Sequence, residues 1–95
     1  AMVESQEVVM SNIFSRVGVR LEVAQDVLGA IIAYYAAEIG KEMAKPNPDV
    51  SVIEAAERAQ DEMDELRDSL SVQEPERLEE VIKKYGQIAR ELSGL

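Results

Sequence analysis

Seven carboxylates fall within one short stretch: Glu54, Glu57, Asp61, Glu62, Asp64, Glu65 and Asp68. Several stand three or four apart, the spacing that puts side chains on one face of a helix. Such a set can hold a hard cation, which takes oxygen ligands. It can also dock a basic partner, or it can do no more than solvate a helix face. A di-iron carboxylate centre normally needs a Glu-x-x-His element from each of two helices. The chain has no histidine and cannot build that centre in its usual form. The same absence removes the commonest general base and transition-metal ligand. With no cysteine there is no thiol nucleophile, thiolate metal site or disulfide. The serines have no histidine to activate them, and neither a phosphate loop nor a nucleophile elbow occurs. No catalytic residue and no cofactor is expected from these features.

Acids also recur upstream, in Glu38-Ile39-Gly40-Lys41-Glu42, and are followed later by Glu65-Leu66-Arg67-Asp68. This arrangement resembles the all-α nucleoside triphosphate pyrophosphohydrolases of the MazG type. That family pairs an E-E-x-x-E element on one helix with E-x-x-D on the next. The resemblance implies that Glu38, Glu42, Glu65 and Asp68 hold Mg²⁺ against substrate phosphates. Ile39 departs from the pattern, standing where the family has a second glutamate.

The elements that must position these acids follow from apolar spacing. Leu78, Val81, Tyr85, Ile88 and Leu92 recur at steps of three and four, the stripe of an amphipathic helix. Glu74-Pro75-Glu76 suits its start and Gly94 its end, although Ser71 with Glu74 offers another cap. Val52, Ala56, Ala59, Met63, Leu66 and Leu70 form a second stripe, predicting a helix over 51–70 capped by Ser51 and Glu54. Pro46 and Pro48 break the chain before it. Residues 20–44 read as the central helix, with Leu21, Ala24, Leu28, Ile31 and Tyr35 on one stripe. Val8, Val9, Ile13, Phe14 and Val17 suggest a short helix over 3–15. Near Gly18 a strand-like alternation (Val17, Val19, Leu21, Val23) competes with the helical period, and a helix with a kink or break there is favoured. The expectation is an all-α, small helical bundle of three or four antiparallel helices in one domain over 1–95. The helices of residues 51–93 should pair through their stripes. Ala1 before Met2 reads as a tag-cleavage scar.

Between Val27 and Ala37 no residue is polar apart from two tyrosine hydroxyls. A run of that length is too short to cross a bilayer, which takes about 20 residues. A helix apolar all round is buried on more than one side. Gly29, Ala33 and Ala37, with Ala36 and Gly40, repeat at four and allow close backbone approach. Together with Tyr34 they are the candidate interface with a homodimer mate or another protein; close packing inside the monomer is the competing reading.

The 95-residue chain carries a net charge of −9, which repels phosphate backbones and anionic lipid. Direct binding to nucleic acid or membrane is not expected, a basic protein partner is easier to accommodate, and the default compartment is the cytoplasm. The expected function is a non-catalytic protein–protein interaction module, of the inhibitor, antitoxin, immunity or adaptor kind. Its partner-binding face would be Glu54, Glu57, Asp61, Glu62, Glu65 and Asp68. One alternative is a secretion or assembly chaperone that binds through the apolar central helix. The other is the magnesium-dependent pyrophosphohydrolase.

Overall fold

The computed structural model describes the backbone from Met2 to Gly94 and the side chains from Gly18 to Gly94. It is all-α. Helix α1 spans Met2–Met43, α2 Val50–Asp68 and α3 Pro75–Ser93. The break expected near Gly18 is absent: α1 is one helix of 42 residues. A glycine in a helix interior costs only about 1 kcal/mol relative to alanine, too little to end a helix with good formers on both sides. The expected helix over 3–15 is therefore the first part of α1. Its stripe of Val8, Val9, Ile13, Phe14 and Val17 lies outside the described side chains.

Each later helix starts and stops for a local reason. Asp49, extended at φ −85° and ψ 107°, caps α2 by accepting the Ser51 N–H at 2.9 Å. The Ser51 hydroxyl donates to the same carboxylate oxygen at 2.6 Å. The cap thus falls two residues before the expected Ser51: an acid directly after Pro48 meets the free N–H groups first. Pro75 opens α3, where its missing N–H costs nothing. Gly94 closes α3 with φ +75°, the left-handed conformation that glycine adopts without strain.

Helix α2 runs back along α1. Asp49 lies beside Glu42, Gln60 Nε2 donates to the Ile32 carbonyl at 3.1 Å, and the Arg67 guanidinium lies 3.8 Å from where a Gly29 side chain would begin. Helix α3 then runs forward, parallel to α1, starting where Arg20 meets Glu79 at 3.0 Å. Both helices pack on α1, and no Cα of α2 comes within 8 Å of one of α3. The expected α2–α3 pairing along their stripes is thus replaced by packing of both helices on α1, and α2 and α3 share only the core around Leu28 and Leu78. Periodicity shows that a stripe needs covering, and α1, apolar over most of its circumference, can cover both stripes.

The core is small. Ala24 and Leu28 of α1 meet Leu78 and Val81 of α3, with Leu21, Met63, Leu66, Leu70, Ile82 and Tyr85 packed around them. Ile31 and Ala56 are also buried. Leu28 and Leu78 are the largest side chains with no exposed surface. Leu78 therefore holds α3 to the spine. A Leu78→Ala variant should lose about 2–5 kcal/mol of unfolding free energy, the range for a buried leucine. Urea unfolding followed by circular dichroism measures this; a loss below about 0.5 kcal/mol would show that α3 does not depend on this contact.

Candidate functional site

Helix α2 turns its alanine-led stripe toward α1 and its acids away from it. Glu54, Glu57, Asp61, Glu62, Glu65 and Asp68 are all exposed. Five of them, at steps of three and four, form a single strip: Glu54, Glu57, Asp61, Glu65 and Asp68. At 1.5 Å per residue the strip is about 21 Å long. None of these six makes an ion pair among the described residues. The one α2 acid that does is Asp64, which holds Arg67 at 2.7 Å. That pair draws the Arg67 guanidinium inward, to within 3.8 Å of where a Gly29 side chain would begin. Arg58 remains the one base beside the strip. Helix α2 carries seven acidic and two basic residues, whereas α3 carries four of each. Helix α2 therefore carries more net negative charge than either other helix.

The quartet implied by the pyrophosphohydrolase resemblance does not come together. Because α2 is antiparallel to α1, Glu65 and Asp68 lie toward the Gly29 level while Glu38 and Glu42 lie near the opposite end of the bundle. Nine residues of helix separate Gly29 from Glu38, about 13 Å of axial rise. Among the described residues no group of three potential ligands is placed to hold a metal ion.

Glu42 has a different task. It is 7% exposed, the one buried charged side chain among the described residues. Its carboxylate accepts the Asp49 N–H at 3.0 Å and meets the Lys45 ammonium at 2.6 Å. It spans the double-proline turn and ties the end of α1 to the start of α2. The Lys45 ammonium, then the Asp49 N–H, hold its pKa below the ordinary glutamate value. Asp49 is lowered too, first by the Ser51 hydroxyl and then by the Ser51 N–H. An acid in the last turn of an apolar helix reads as surface in the sequence, and no periodicity reveals its inward aim. The sole available signal was its place seven residues before the cap of the next helix.

The small-residue strip divides. Gly29 is half-buried against α2, while Ala33, Ala36, Ala37 and Gly40 are exposed. Tyr34 and Tyr35 point apart, as helix neighbours do, with rings edge to face at 5.3 Å. Tyr34 lines a groove of about 540 Å³ between α1 and α3. Val23, Val27, Ala30 and Ile31 form its α1 wall, and Ile82, Gly86, Ala89 and Leu92 its α3 wall. Asp26, Arg90 and Ser93 supply the polar margin. No residue of α2 contributes. Ile82 and Ala89 stand beside the α3 stripe of Leu78, Val81 and Tyr85, and they line the groove that α2 leaves uncovered.

Among the described residues, no helix is long and apolar enough to cross a membrane. Comparison with protein-family models, curated proteins and solved structures finds no match to this chain.

Glu42 generates a pH prediction. A carboxylate whose folded pKa is lowered stabilises the fold fully above its unfolded value, about 4.3. That contribution disappears as the pH falls through the folded value. Glu42→Gln keeps an acceptor for the Asp49 N–H but loses the charge facing Lys45. Its stability, measured by urea unfolding between pH 6 and about pH 3, should fall less steeply with acid than the wild type's. Equal slopes would mean that the ion pair does not hold the turn.

Proposed function

We propose that this chain is a protein-binding module whose α2 presents carboxylates to a basic partner protein. The carrying observation is the exposed strip of Glu54, Glu57, Asp61, Glu65 and Asp68 without ion-pair partners among the described residues. Acids already paired with lysine or arginine in the same chain would have to exchange one partner for another. These keep their full attraction for an incoming cationic surface, which speeds encounter and selects against acidic proteins. The rigid spacing of a helix also fixes where the partner's arginines and lysines must stand. This is the mode of action of an inhibitor or adaptor, with the partner's own activity as the thing regulated. The net charge of −9 supports the same reading, since it disfavours nucleic acid and anionic lipid as targets.

The test is capture of partners from the native lysate by the tagged protein, at low and high salt. A stoichiometric basic partner should be retained at low salt and lost at high salt, because exposed charges are screened within about 10 Å at 0.1 M. A Glu57→Lys, Asp61→Lys, Glu65→Lys variant should fail to retain it while keeping its helicity. Retention of the same partner by this variant would remove the acidic strip from the interface, and salt-independent retention would assign binding to an apolar surface instead.

A further inference from the structure

We infer that a second copy of this chain docks on the α1–α3 groove, related to the first by a two-fold axis. The inference stands apart from the acidic strip, which lies on another helix and contributes nothing to the groove.

The first argument is cover. No residue of α2 reaches the groove, so its apolar walls between α1 and α3 face solvent.

The second argument is the chemistry of the groove. Its walls are apolar, and the apolar surface continues onto the exposed Val19 and Val23, 54% and 40% accessible. Ala30, Gly86 and Ala89 keep the walls shallow, so another helix backbone can approach closely. The acids of α2 are absent from this side, and α3 carries equal numbers of acidic and basic residues. This face therefore lacks the α2 acids that would repel a second copy.

The third argument is charge complementarity. Asp26 and Arg90 stand at the groove margin, and neither makes an ion pair among the described residues. Asp26 lies toward the end where α3 begins, with Val23, and Arg90 toward the end where α3 finishes, with Leu92 and Ser93. A two-fold axis across the groove reverses its direction. The Asp26 end of one copy then meets the Arg90 end of the other, and the pair forms twice, as an isologous interface requires. A parallel arrangement would bring Asp26 toward its own equivalent and repel.

Sedimentation equilibrium of the wild-type chain across the micromolar range tests this. The expected result is a reversible dimer of twice the 10.5 kDa chain mass. Ala30 is exposed, so Ala30→Glu should keep its helicity, checked by circular dichroism, while raising the dimer dissociation constant at least about tenfold by burying an unpaired charge. Asp26→Arg and Arg90→Asp should each weaken the dimer, and the double exchange should restore it. A monomer throughout the range overturns the inference and leaves the groove to a different protein. An unchanged constant in Ala30→Glu overturns it as well, by placing any dimer contact elsewhere. A double exchange no tighter than either single variant overturns the two-fold register.

Discussion

A helix with hardly a polar group between Val27 and Ala37 has to be covered from several directions, and only two short helices are there to do it. The residues are sorted accordingly. Leu28 and Ile31 turn inward and are buried, while Ala30, Ala33 and Ala37 face out. Exposure of a methyl group costs far less than exposure of a leucine, since the penalty scales with apolar area. Small side chains therefore let α1 leave one side open. The remaining features follow from this economy: two helices packed on one spine, a thin core that they share, and a groove along one edge of α3.

Much of this was legible in the residues. The stripe through Leu21, Ala24, Leu28 and Ile31 identifies the buried face of α1, and Leu78 and Val81 identify that of α3, because a period near 3.6 belongs to a helix alone. Gly94 marks a helix end through its conformational freedom. The pairing of stripes was not legible. An apolar stripe demands a partner without naming one, so the 51–93 hairpin was assembled from neighbours in sequence when each helix had a better surface in α1. Gly18 weakens α1 without ending it, and local strand-like alternation misled because period two and period 3.6 overlap over a few residues. Glu42 was the largest misreading among the acids. The pyrophosphohydrolase resemblance implied that it is a ligand with Glu38, but its carboxylate faces the turn that follows, and only the fold brings Asp49 to it.

The two faces of the molecule differ in the forces they can exert. The strip on α2 acts at a distance and through solvent, and it weakens as ions are added. The α1–α3 groove acts by contact and depends on shape and apolar area. The acidic strip lies on α2 and the groove between α1 and α3. Gln60 ties α2 to α1 through the Ile32 carbonyl, and the Arg67 guanidinium lies near Gly29.

The separation of α2 from α3 has a further meaning. Their connection is short and held locally: Arg77 donates to the Ser69 carbonyl at 3.2 Å and to its hydroxyl at 2.9 Å, and pairs with Glu74. Beyond that link the two backbones stay apart, and the helices meet through side chains alone, where Met63, Leu66 and Leu70 pack on the cluster of Leu28, Leu78 and Val81. The fold is an antiparallel α1–α2 pair and a parallel α1–α3 pair that share one helix and one core. Local opening divides a structure into units with their own free energies, and here the units are coupled through that shared core: releasing α3 uncovers the side chains of α2 that rest on it.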